Sequence, residues 1–109
     1  MNVDGPSIQL DKLMDLDRVI HERVRLGIMT ALSASGVLSF QDLKNMLNVT
    51  DGNLSVHLKH LERHEYVVVQ KDFIKRKPHS TYRLTDNGVK AFKGYISNLE
   101  LLITQLQLG

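Results

Sequence analysis

Apolar residues recur at three- and four-residue steps through "DLDRVIHERVRLGIMTALSASG", residues 15–36: Leu16, Val19, Ile20, Val24, Ile28, Ala31 and Leu32. That period predicts an amphipathic helix, with Asp15 or Asp17 capping its start and Gly36 at its left-handed stop. Gly27 lies inside the pattern. A mid-helix glycine costs about 1 kcal/mol against alanine, so a close packing contact is expected there. Upstream, Pro6 and Ser7 open a short helix carrying Ile8, Leu10, Leu13 and Met14. Downstream, "VLS" at 37–39 is short and apolar, and Ser39 caps a helix bearing Phe40, Leu43, Met46 and Leu47. "NVTDGN" interrupts that helix. Thr50 then caps another, whose buried stripe is Leu54, Leu58 and Leu61. Two short helices across a three- to four-residue turn form a helix-turn-helix pattern.

The period then changes. "YVVVQK", residues 66–71, is β-branched and aromatic and predicts a strand. "DFIKRKPHS" follows as a loop in which Pro78 sets the turn, and "STYRLT", residues 80–85, alternates as a second strand. Thr85 caps a last helix in which Val89, Phe92, Ile96, Leu99, Ile103 and Leu106 form a heptad-like stripe. The expected fold is mainly α with a small β-hairpin (α+β). It forms a single domain over 1–109, with its core at 16–84 and the last helix at 85–108.

Composition narrows the function. The 109 residues contain no cysteine, which excludes disulfides, thiolate metal sites and a cysteine nucleophile. No apolar run approaches the roughly 20 residues of a membrane span. The start "MNVDGPSIQL" lacks the features of a signal peptide, so a cytoplasmic protein is expected. The net charge is only +2. The excess is local: Lys71, Lys75, Arg76, Lys77 and Arg83 stand against Asp72 alone. No Gly-rich phosphate loop, GxSxG or paired carboxylates suggest an enzyme.

"SVHLKHLERHEYVVVQ" places His57, His60 and His64 at i, i+3 and i+7. That spacing runs about 10 Å along a helix axis, too far for one zinc ion to take all three rings easily; His60 and His64 alone could chelate. No metal and no cofactor are expected. His57 borders the leucine stripe, where packing with a bond to a backbone carbonyl competes with a DNA contact. His64 reads as a surface or turn residue.

The order of elements resembles the winged helix-turn-helix of bacterial and archaeal transcriptional regulators, in the MarR- and ArsR-like groups. "HERVRLGIMTAL" is similar to their first helix and "LSVHLKHLERHEYV" to their recognition helix. "RKPHSTYRLTDNGVKAF" resembles the wing and the Tyr-x-Leu-Thr-x-x-Gly lead into the last helix of the MarR-like group. Two departures stand out. His64 and Glu65 occupy a bend where the family usually has glycine, and a left-handed residue there costs about 1 kcal/mol or more. The paired cysteines of thiolate-sensing relatives are absent.

The resemblance implies a sequence-specific regulator of double-stranded DNA. The start of a second helix meets base edges in a helix-turn-helix. Candidate contacts there are Thr50, Gly52, Asn53, Ser55, Val56, His57 and Lys59, with Asn53 suited to adenine and Val56 to a thymine methyl. Asp51 and Thr50 also suit capping. In the wing, Lys75, Arg76, Lys77 and His79 are candidates for phosphate or minor-groove contact. The apolar residues of the last helix, Phe92, Ile96, Leu99, Leu102, Ile103 and Leu106, suggest a homodimer on a near-palindromic site; cover by the N-terminal segment of the same chain is the alternative. The competing function is a winged helix that contacts protein or RNA. No effector is indicated.

Overall fold

The computed structural model describes residues 8–106. Its elements are α1 (Asp11–Met14), α2 (Arg23–Ser35), β1 (Val37–Ser39), α3 (Phe40–Leu47), α4 (Asp51–Arg63), β2 (Val67–Ile74), β3 (Lys77–Leu84) and α5 (Asp86–Leu106). The strands form one antiparallel sheet in the order β1-β3-β2. This is the expected α+β winged architecture with additional helices at both ends. Pro6 and Ser7, read as the start of the first helix, lie outside the described residues.

The helix expected over 15–36 is shorter. It begins at Arg23, where the Glu22 carboxylate accepts from the Arg25 N–H at 2.8 Å. Asp15 instead closes α1, and Asp17 holds a separate turn by accepting from the Val19 and Ile20 N–H groups. Leu16, Val19 and Ile20 therefore face the core from a turn rather than a helix. Gly36 ends α2 with φ of 85°. Gly27 meets the expected close approach: a Cβ there would lie 2.6 Å from Leu47 Cδ2.

Ser39 and Asp42 form a reciprocal capping box at the start of α3, satisfying one backbone N–H each. Asn48 ends that helix in the left-handed region, at φ of 54°. Asparagine tolerates this conformation better than most side chains, and the chain turns there into α4. Leu43, Leu54, Leu58 and Leu61 are buried with Ile20, Ile28, Met29 and Leu32. The helix-turn-helix is thus fixed by a shared aliphatic core.

At the end of α4 the chain makes the left-handed bend foreseen at His64–Glu65. Glu65 carries it, with φ of 60°, and the Tyr66 N–H closes back on the Leu61 carbonyl. Tyr66 then packs against the lead into α5. Its carbonyl accepts from the Thr85 N–H, and Thr85 Oγ1 accepts from the Gly88 N–H.

The hairpin differs most from expectation. The strands continue through the segment read as a loop, in register from Val67 opposite Leu84 to Ile74 opposite Lys77. Only Lys75 and Arg76 form the turn, both with positive φ. This is the primed geometry that matches strand twist. Pro78 does not set the turn; it lies in β3 opposite Phe73. His79 is likewise a strand residue.

The molecule is elongated, 68 × 25 × 21 Å. Tyr95, Phe92 and Leu99 pack against the core, whereas Ile96, Ile103 and Leu106 remain exposed. The far end of α5 is met by the N-terminal segment, where Gln105 Nε2 donates to the Gln9 carbonyl and Gln105 Oε1 accepts from the Gln9 N–H. Met14, on the short first helix, is 79% exposed.

Candidate nucleic-acid interface

The first turn of α4 is held by Thr50, whose hydroxyl oxygen accepts from the Asn53 N–H at 3.2 Å. Asp51 pairs with Lys44 of α3 at 2.9 Å. Its place at the positive end of the helix dipole and that ion pair account for an acid on this face. With Leu54, Leu58 and Leu61 turned inward, the outward face carries Gly52, Asn53, Val56 and Lys59, with Ser55 half-buried beside them. Val56 is 64% exposed. A Cβ at Gly52 would meet nothing within 4 Å, so this glycine leaves the backbone open to approach from outside.

His57 points toward α2. Arg25 Nη1 donates to its Nδ1 at 3.1 Å, and Glu22 Oε1 lies 3.5 Å from the same nitrogen. Its partner is a side chain rather than the backbone carbonyl expected at such an edge. Arg25 also donates through Nε to the Val19 carbonyl, so one guanidinium joins the turn before α2 to α4. The Glu22 carboxyl is raised by burial but lowered more by the Arg25 and Val24 N–H groups and by His57 and Arg25; its net shift is downward.

His60 and His64 stack at 4.9 Å between ring centroids, nearly parallel. His64 Nδ1–H donates to the His60 carbonyl at 3.0 Å. Desolvation, followed by the charges of Arg25, His64, Arg63 and His57, holds the His60 ring below the usual imidazole range. Among the described residues, no group of three or more His, Cys, Asp or Glu side chains is positioned to hold a metal ion.

The hairpin leaves the body beside α4. Lys71, Lys75, Arg76 and Lys77 are all exposed along it. The single acid in this stretch, Asp72, faces His79 across the ladder. Their Oδ1–Nδ1 distance is 3.4 Å, an approach without hydrogen-bond geometry. His79 is half-buried and on the opposite strand face from Phe73. It is not at the tip with Lys75 and Arg76.

Sequence reasoning did not find Arg25, Glu22 or the Asp17–Tyr66 bond, in which the Tyr66 O–H donates to Asp17 Oδ2. These partners are far apart in the chain, and nothing local announces them. Gly88 was part of a recognised motif, but its reason appears only in three dimensions.

A helix-turn-helix flanked by a cationic hairpin defines a winged-helix nucleic-acid-binding protein. The family described as winged helix DNA-binding domain matches residues 24–103, and the chain belongs to that family. It is 38% identical over 79 residues to the uncharacterized protein MJ0432 of Methanocaldococcus jannaschii, covering 72% of this chain and 86% of that one. The structure of a transcriptional regulator homologue from Pyrococcus horikoshii OT3 superposes with a TM-score of 0.82 at 31% identity, over 88% of this chain and 97% of that chain. A MarR-family regulator structure from Enterococcus faecalis V583 shares the fold, with a TM-score of 0.74 at 21% identity over 95% and 94% of the two chains. The fold is therefore that of winged-helix transcriptional regulators, as the MarR-like motifs implied.

Proposed function

We propose that this winged-helix regulator binds double-stranded DNA sequence-specifically, as a homodimer on a near-palindromic operator. The observation that carries the reading is the uncovered outer face of α4 beside a hairpin whose exposed cations outnumber its one acid. Asn53, Ser55 and Val56 are placed for base edges in a major groove. Thr50, Gly52 and Lys59 suit the adjoining phosphates, through the hydroxyl, the open helix N-terminus and the ammonium. Lys75, Arg76 and Lys77 supply the electrostatic attraction. His57 acts mainly by holding α4 against α2.

The dimer is supported by Ile96, Leu101, Ile103 and Leu106, which stay exposed on α5. The N-terminal segment covers part of the helix end, so the apolar surface left for a partner is narrower than the heptad pattern alone suggests. The decisive experiment selects bound duplexes from random DNA and footprints the winners. The expected result is two inverted half-sites about one helical turn apart. No enrichment over input sequence would overturn specific reading, and a single asymmetric site would overturn the dimer.

A further inference from the structure

Phe73 is 73% exposed and Ile74 51% exposed, at the far end of β2. Neither belongs to the core. The register puts Phe73 on the same strand face as Val67 and Val69, whose side chains do meet the core, and directly opposite exposed Pro78. From Gln70 onward every residue of β2 is exposed, so the hairpin projects roughly 15 Å beyond its last packed pair at about 3.4 Å per residue. Its tip therefore carries an aromatic ring across from a proline, with Lys71 on the same strand face, Lys75 and Arg76 in the turn, and Lys77 on the opposite face.

The lysines and the arginine on both faces and in the turn of the hairpin outnumber Asp72 and suit this exposed ring poorly to a protein core or a neutral groove. They suit a polyanion. We propose that Phe73 is an apolar wedge, pressed into the minor groove at a base step while the flanking cations hold the phosphates on either side. The assignment rests on the DNA-binding reading and adds deformation of the duplex to it. Apolar side chains that enter a minor groove partly unstack a step and kink the helix toward the major groove. Pyrimidine–purine steps yield most easily. The wing would thus read deformability at a position that α4 never touches.

The two-residue turn suits this role. A tight hairpin is stiffer than the long loop read from the sequence, and it delivers Phe73 and Arg76 together. Arg76 attracts the groove by charge, and Phe73 contributes only once the step has opened.

The test uses the whole protein and a fluorescent duplex selected by it from random DNA, with 2-aminopurine at the steps flanking the α4 footprint and dyes at both ends. Wild type should brighten 2-aminopurine at one step and shorten the end-to-end distance. Phe73→Ala should abolish both signals and weaken binding on the order of ten- to a hundredfold, with an unchanged salt slope and an unchanged melting temperature. Phe73→Leu should retain most of the bend. Arg76→Ala/Lys77→Ala should instead lower the salt slope. Wild-type bending and affinity in Phe73→Ala would overturn the wedge while leaving DNA binding intact. Failure of the wild type to bind any duplex would overturn both. A change in sedimentation of Phe73→Ala without DNA would assign the ring to a protein interface and also overturn the proposal.

Discussion

A Cβ added to Gly88 would lie 2.0 Å from the Tyr66 carbonyl oxygen. The start of α5 therefore rests on the backbone that follows α4, and glycine is the residue that permits it. Gly88→Ala must push α5 away from the same carbonyl that accepts the Thr85 N–H. We expect a loss of roughly 2–3 kcal/mol, read as a lower urea midpoint with an unchanged slope. An alanine variant as stable as wild type would show that this junction relaxes freely.

The Tyr66 phenol is pushed up to about 12 by burial and by its bond to, and the charge of, Asp17. A phenol raised in the folded state keeps its full stabilising effect below the ordinary value near 10 and loses it as pH climbs toward 12. Unfolding free energy should therefore fall over that alkaline window. Tyr66→Phe should make the fall shallower without removing it, since burial also raises Tyr82 and Tyr95. Equal alkaline slopes in the two proteins would contradict the assignment.

Asn53→Ala and Ser55→Ala should change the preference at particular base pairs, by about 1–3 kcal/mol where the contact is bidentate. Binding to the selected duplex and to single-base variants separates this from a uniform loss, which would mean that both residues touch only the backbone.

Replacing Arg76 and Lys77 by alanine should weaken binding to all sequences. Each lost phosphate contact should reduce the log–log salt slope by about 0.9. A double variant with the wild-type slope would remove the wing tip from the electrostatic contact.

Ile103→Glu/Leu106→Glu changes two exposed positions of α5 and should leave the fold intact. Sedimentation at micromolar concentration is expected to show a dimeric wild type and a monomeric variant. A variant that still dimerises would move the interface elsewhere.

The helix-turn-helix was legible because its signals are local. Ser39 and Thr50 cap the helices they precede, and the leucine stripe of α4 sets its inner face. The segment before α2 misled because Asp17 competes for the backbone N–H groups; its apolar spacing survives without a helix. The hairpin misled for a different reason. A tight primed turn ordinarily announces itself by Asn-Gly or Asp-Gly, and Lys75-Arg76 is neither. The outward face of α4 followed from its stripe. The Arg25–His57 contact joins residues far apart in the chain, and no sequence period encodes it.

Lys75 and Arg76 both sit at positive φ, 51° and 67°, where a side chain costs about 1 kcal/mol or more per residue against glycine. Asn-Gly would close the same hairpin more comfortably, and would erase the two charges at its tip. The turn is therefore a place where the most stable sequence and the most useful one diverge. Substitutions selected only for thermal resistance would be expected to accumulate there first, each making the protein hardier and a poorer ligand for a polyanion.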